Sequence, residues 1–313
     1  MPIITFRNFD SNLLELLAAK FALQFNISDN DEIADLVISL DPITRSINDV
    51  KTIAIYSEPK VVRPDLYTSK RIKSYLDVIC TSSQRAESIG KMNWLRLPIN
   101  LERETIWPKE RISKTCMVIG NKFSANRHSN YGLRRKVIQL DERGDNKINV
   151  YGVDWLDPLS LQMRRRFHAA RIQMRDLSEF SISEVSSDIF FVPKNYKGVM
   201  GSDLAGLSKY ETSIVIENQS DYVSEKLWNT MEAGAVPVYI GPDLTEQPEL
   251  EQCVFQVERS AKEIVQRISK MKRSEVQAKR EKIREFLKEF NEIRQYEEFA
   301  KNLIKIVESH LQK

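Results

Sequence analysis

The segment Tyr210–Gly241, YETSIVIENQSDYVSEKLWNTMEAGAVPVYIG, constrains the fold of this chain more than any other. Its early run Ser213-Ile214-Val215-Ile216 is short, apolar and β-branched, which is the composition of a buried strand. The run stops on two polar residues, Glu217 and Asn218. A polar turn follows, and the pattern predicts a helix from about Tyr222, capped by Ser220 or Asp221 and closed by Gly234. Ala235–Ile240 is a second apolar run and ends at Gly241-Pro242. Strand, helix and strand make a βαβ unit, and so a parallel sheet. Ligands of open parallel sheets bind beyond the carboxyl ends of the strands. The acids, amides and lysine gathered at those ends therefore predict a binding site.

On the predicted helix, Tyr222, Glu225 and Lys226 fall at i, i+3 and i+4 and share a face. Lys226 lies in the first turns, where the helix dipole disfavours a cation. An anion bound at that end would remove the conflict, because helix N-termini attract phosphate. The alternative is a solvated first turn with a local Glu–Lys pair.

The pattern ENxxDYVxEKLWxxxxAGAVPVYxG, from Glu217 to Gly241, strongly resembles the nucleotide-binding motif of the α-1,3/1,4-fucosyltransferase family. Order, spacing and residue types agree along the whole motif. Two departures are mild: Ile216 precedes Glu-Asn where the family usually has Phe, and Ser224 replaces a threonine. Weaker echoes lie at Val192–Tyr196, Asn121–Leu140 and Asn149–Gly152. The resemblance implies a metal-independent, inverting glycosyltransferase of GT-B architecture that uses GDP-fucose and needs no cofactor. It also implies that Glu217 and Asn218 face the sugar nucleotide, while Tyr222, Glu225 and Lys226 contact ribose and phosphates.

Composition sets outer limits. A chain of 313 residues accommodates two ordinary domains. A net charge of +3 is too small to argue for nucleic acid. Three cysteines, odd in number and widely spaced, speak against a disulfide framework and for a reducing compartment. The three histidines have no ligand spacing. No run reaches the length of a membrane span and MPIITFRNFD lacks a signal-peptide layout, so a cytoplasmic protein is the expectation.

Short apolar runs at Ile3–Phe6, Leu36–Leu40, Thr52–Tyr56 and Val78–Thr81, with a helical pattern at Leu13–Leu23, predict an N-terminal α/β domain. Prolines and mixed charges at Leu97–Lys114 read as the crossing between domains. A second α/β series has strands near Cys116–Gly120, Ile148–Gly152, Ile214–Ile216 and Val236–Ile240, with a helix near Tyr131–Leu140. The predicted fold is α/β of GT-B type: an acceptor-side domain over 1–110, a nucleotide-sugar domain over 111–268, and a helical tail over 269–313.

Transfer from a nucleotide sugar requires stabilisation of the departing diphosphate and removal of a proton from the acceptor hydroxyl. Asp29-Asn30-Asp31 is the one Asp-x-Asp triplet, and it reads as a polar turn rather than a metal site. Without a metal, Lys226 and an arginine must carry the diphosphate charge. The family places that arginine at the start of the helix after an Asn-containing strand. Arg134 fits the helix pattern best, Arg127 fits the distance from Asn121, and Arg135 also competes, so the choice stays open. Glu58, after the strand Thr52–Tyr56, is the candidate base, since the family supplies a glutamate from a comparable loop; Pro59 should hold that loop open. The basic stretch Lys270–Lys282 is either a charged helix with one buried stripe or a contact with an anionic membrane near a lipid-linked oligosaccharide acceptor. Another nucleotide sugar on the same scaffold, or a non-catalytic sugar-nucleotide or glycan-binding module, remains as an alternative.

Overall fold

The computed structural model describes residues 1–42, 50–80, 92–94, 107–145, 147–174, 177–181, 191–200, 203–220, 222–245, 247–290 and 292–311. The chain divides into two compact units, Met1–Asn100 with Asn291–Lys313, and Leu101–Phe290.

The first unit opens with β1 (Ile3–Arg7), α1 (Ser11–Phe21) and β2 (Asn26–Ile27), then a 3-10 turn at Asp31–Ile33. It continues with β3 (Leu36–Leu40), β4 (Thr52–Tyr56), α2 (Ser69–Ile72), β5 (Asp77–Cys80) and β6 (Met92–Trp94). All ladders are parallel and the order is β2-β1-β3-β4-β5-β6. Helix α1 forms because Leu13, Leu17 and Phe21 recur every four residues and make one buried stripe. Asp10 caps it by accepting from the Leu13 N–H at 2.9 Å. The stripe packs on Ile4, Leu36, Ile38, Ile53 and Ile55 together with Phe299, Leu303 and Val307 from the C-terminal segment. The last helix of the chain thus completes the core of the first unit.

The second unit contains β7 (Ile112–Val118), α3 (Tyr131–Arg143), β8 (Ile148–Tyr151), α4 (Leu159–Gln173), α5 (Asp203–Leu207) and β9 (Tyr210–Ile216). It goes on with α6 (Glu225–Glu232), β10 (Val236–Ile240), α7 (Pro248–Glu251), β11 (Phe255–Gln256), α8 (Ala261–Lys270) and α9 (Arg273–Glu289). Helix α10 (Glu292–Leu311) returns to the first unit. The residues read from sequence as one tail over 269–313 are therefore shared between the two units.

The second sheet is also wholly parallel, in the order β11-β10-β9-β7-β8. Ile214, Val215 and Ile216 are buried without alternation, as a central parallel strand covered on both faces requires. The winding direction reverses between β7 and β9, which makes that gap the switch point of the sheet.

Helix α6 begins later than its sequence pattern suggests. It starts at Glu225, not Tyr222, and its cap is Ser224, whose hydroxyl accepts from the Lys226 N–H at 3.4 Å. Ser220 does not cap it, and Asp221 lies outside the described residues. Gly234 ends the helix at φ +70°, with the 6→1 and 5→2 bonds Ala235 N–H to Thr230 and Gly234 N–H to Met231. The carbonyls left at that end are taken by Trp107 Nε1 on Glu232 at 2.8 Å, Arg111 on Ala233 at 3.0 Å and Arg280 on Gly234 at 3.0 Å. Burial and the nearby Arg280 charge push the Arg111 guanidinium down to about 10. The C-terminal end of α6 is thus anchored, and its N-terminal end stands at the carboxyl edge of the sheet.

Helix α9 takes the buried-stripe form, with Val276 and Ile283 in the core and Phe286 stacked on Trp228 at 6.1 Å. Two of its cations turn to the protein: Lys279 donates to the Gln252 carbonyl and Arg280 to those of Gly234 and Glu211.

Candidate functional site

Glu217 follows directly on β9 and is completely buried. Its N–H continues the ladder by donating to the Ile240 carbonyl at 2.8 Å. Oε1 accepts from the Ser224 N–H at 3.0 Å, which ties the turn between β9 and α6 to the sheet edge. Oε2 is buried with no hydrogen-bond partner among the described residues. Desolvation pushes the carboxyl up to about 7, against the hydrogen bond from Ser224 and the charges of Lys226 and Arg134. A buried carboxyl with a perturbed pKa at a switch point marks a functional-site candidate.

Arg134 settles beside it. The side chain leaves the first turn of α3, is 3 % exposed and lies over the Tyr131 ring at 4.9 Å. Nη2 donates to the Ile216 carbonyl and to Asn218 Oδ1, the latter at 2.9 Å. Its Nε is buried and has no partner among the described residues. Burial lowers its pKa below the usual guanidinium range. The other two arginines are elsewhere: Arg127 is exposed and donates to His128 Nε2 at 3.4 Å, and Arg135 donates to the Lys122 carbonyl at 3.0 Å. Of the three candidate arginines, Arg134 is the one that lies against Asn218 and Glu217.

At the start of α6, Lys226 Nζ sits 3.2 Å from the exposed Glu225 carboxylate. Such an exposed pair contributes little and yields readily to a stronger anion. Tyr222 is buried but precedes the helix, so Tyr222, Glu225 and Lys226 do not form the shared helical face expected from their spacing. Gly241 closes the site from β10. A Cβ there would stand 2.2 Å from Tyr239 Oη and 2.8 Å from Glu217 Cγ.

Three residues escaped the sequence reading. Asn130, the completely buried N-cap of α3, donates through Nδ2 to the Glu217 carbonyl at 3.0 Å. Arg259 donates to Asn130 and, at 2.8 Å, to the Ser129 carbonyl. Ser129 also pairs with Gln219 as an isolated bridge. An asparagine before a helical pattern is a legible cap signal; nothing in the sequence links it to Arg259, which is 129 positions away.

In the first unit, Glu58 lies just past the carboxyl end of β4 and is half-buried. Its carbonyl accepts from Tyr67 Oη at 2.9 Å, and its neighbour Ser57 donates to the Asp41 carboxylate. The loop is not open as Pro59 suggested: the Pro59 carbonyl accepts from Val62 and Arg63 and folds the chain into a turn. Asp29-Asn30-Asp31 is a turn, with Asn30 capping Glu32 at 2.9 Å and Asp31 paired with Arg7. Among the described residues, no group of three histidine, cysteine or carboxylate side chains could hold a metal ion. No helix of the described residues is long and apolar enough to cross a membrane. The three cysteines are buried and none is in a disulfide, and desolvation pushes the Cys253 thiol up to about 11.

No protein-family model matches the sequence, and no curated protein does either. Solved structures do. HepE of Anabaena, in complex with UDP and glucose, matches with a TM-score of 0.55 at 10% identity over 97% of this chain and 100% of that one. A glycosyltransferase from Rickettsia africae gives 0.51 at 10% identity over 99% and 98%. A UDP-forming α,α-trehalose-phosphate synthase from Burkholderia vietnamiensis gives 0.51 at 11% identity over 95% and 81%. At such identities the likeness establishes the fold alone: two parallel-sheet α/β domains of the kind found in GT-B glycosyltransferases.

Proposed function

We propose that this protein is a nucleotide-sugar-dependent glycosyltransferase, and that it moves L-fucose from GDP-fucose to a glycan hydroxyl with inversion. The observation that carries the reading is the meeting of Glu217, Asn218, Arg134 and the α6 N-terminus at the switch point of the second sheet. The choice of GDP-fucose rests on the motif from Glu217 to Gly241, whose resemblance to fucosyltransferases runs through these same residues.

The chemistry follows from the groups present. The acceptor oxygen bonds to the anomeric carbon as the bond from that carbon to the β-phosphate oxygen breaks, and GDP departs with the electron pair. Arg134 and Lys226 offset the charge that the diphosphate gains, and the α6 dipole adds to them. Tyr222 and Glu225 hold the nucleotide, while Glu217 and Asn218 stand at the sugar and diphosphate. Glu58 receives the acceptor proton, and no metal takes part.

A second donor class has its own support. Two of the similar structures are named for UDP: HepE was solved with UDP and glucose, and the trehalose-phosphate synthase is UDP-forming. Another trehalose-6-phosphate synthase in the comparison, at a TM-score of 0.51, is described as transferring with retention. Melting the protein with GDP-fucose, GDP, UDP-glucose and UDP, all with EDTA present, separates the readings, because a ligand of the native state raises the melting temperature. A rise with guanine nucleotides alone is expected. A rise with uridine nucleotides alone would keep the transferase and replace the donor.

A further inference from the structure

Helix α3 begins in an unusual way. At the N-cap position an asparagine side chain ordinarily accepts a hydrogen bond from the first turn, yet Asn130 makes no such bond. Its amide reaches sideways instead. Nδ2 donates to the Glu217 carbonyl at 3.0 Å, and Oδ1 accepts from Arg259 Nε. Its backbone is engaged with the same group of residues: its N–H donates to the Asn218 carbonyl at 3.0 Å, and its carbonyl accepts from the Arg134 N–H at 3.1 Å. Asn130 therefore touches each of the three buried residues of the site.

An amide can present either its oxygen or its NH₂ to a neighbour. Guanidinium carries donors and no acceptor, so beside Arg259 the amide oxygen must face the arginine. The NH₂ is then left for the Glu217 carbonyl, which can only accept. Arg259 makes a second bond, from Nη2 to the Ser129 carbonyl at 2.8 Å, so its head group is held at two points. It projects from the loop between β11 and α8, and the residue as a whole is exposed. Its removal opens no core cavity, yet it would leave Asn130 Oδ1 without this donor and the amide held by its bond to the Glu217 carbonyl alone.

We propose that Arg259 is a positioning residue of the donor site. By holding the Asn130 side chain from its oxygen end against the Glu217 carbonyl, it sets the Glu217–Asn218 backbone and, with it, where the Glu217 carboxyl and the Arg134 guanidinium stand toward an incoming diphosphate. This role rests on the reading of the site as one for a nucleoside diphosphate sugar.

Calorimetric titration with GDP and with UDP tests it on four proteins: wild type, Arg259→Ala, Asn130→Ala and the double variant. Loss of a charge-assisted hydrogen bond predicts about tenfold weaker binding by Arg259→Ala, with a melting temperature within about 2 °C of wild type. The double variant should bind no more weakly than Asn130→Ala alone. Millimolar guanidinium should recover part of the affinity of Arg259→Ala and none of that of Asn130→Ala, a response that a merely stabilising arginine would not give. If Arg259→Ala fails to fold, Arg259→Gln serves in its place, since it adds an acceptor and should lose the same affinity. Unchanged affinity in Arg259→Ala, or additive losses in the double variant, would overturn the role while leaving the site reading intact. Failure of the wild type to bind either nucleotide would overturn both.

Discussion

The two sheets share one winding and differ in what stands at their switch points. In the first unit the gap lies between β1 and β3, and the two polar side chains that follow these strands, Asn8 and Asp41, are engaged by their own chain. Asn8, at φ +62°, donates to the Leu40 carbonyl at 3.2 Å, and Asp41 accepts from the Ser57 N–H at 2.9 Å. In the second unit, Glu217 Oε2 and Arg134 Nε are buried without a partner among the described residues. Leaving a buried carboxyl and a buried guanidinium nitrogen unpaired costs free energy, and a bound ligand would offset that cost, which is the ground for proposing the second switch point as a ligand site. The winding supplies the crevice; the residues decide its use.

The largest expected effect comes from Arg134→Lys, which keeps the charge and loses the fork. Affinity for the nucleoside diphosphate should fall by about 10- to 100-fold. An equal loss from Asn8→Ala in the first unit would erase the contrast between the two sheets.

The pH dependence of stability comes next. The Glu217 carboxyl titrates at about 7 in the folded protein, against an ordinary value of 4.5. Between those values the folded protein holds a proton that the unfolded chain has released, so stability falls as pH rises from about 4.5 to about 7 and then levels. Relative to Glu217→Gln, the wild type should lose on the order of 3 kcal/mol across that window. Parallel denaturation curves for the two proteins at pH 5 and pH 8 would contradict this.

Steric closure can be measured separately. Gly241→Ala places a Cβ against Tyr239 and Glu217, and should cost about 2 kcal/mol of stability and weaken nucleotide binding. Stability lost with affinity intact would show that Gly241 serves packing alone. The smallest effect on binding belongs to Glu58→Gln: transfer should collapse while nucleotide affinity stays within about twofold. Loss of both together would remove Glu58 from the role of base.

Much of this arrangement is written locally. β3 and β4 occupy the residues marked by their apolar runs, Leu36–Leu40 and Thr52–Tyr56. Glu217 and Asn218 were legible because an apolar strand ends on them. The start of α6 was not, because Ser220, Asp221 and Ser224 are all good caps, and the Glu217–Ser224 bond that selects the last is a tertiary contact. The strands β2 and β11 have two residues each and exist only through pairing with their neighbours. That Arg134 rather than Arg127 lies beside Asn218 depends on how the loop from Asn121 to Asn130 folds, which no spacing rule states. Asn130 gave a capping signal that the structure spends on Glu217 and Arg259 instead.

As proposed above, the switch point of the second sheet, with Arg134 and Glu217 at its centre, binds the diphosphate of a sugar nucleotide. Calorimetric titration of GDP into wild type, Arg134→Lys and Asn8→Ala tests it most directly. Binding is expected of the wild type and of Asn8→Ala, with about 10- to 100-fold weaker binding by Arg134→Lys. Equal affinity in all three proteins, or no binding of either GDP or UDP by the wild type, would contradict it.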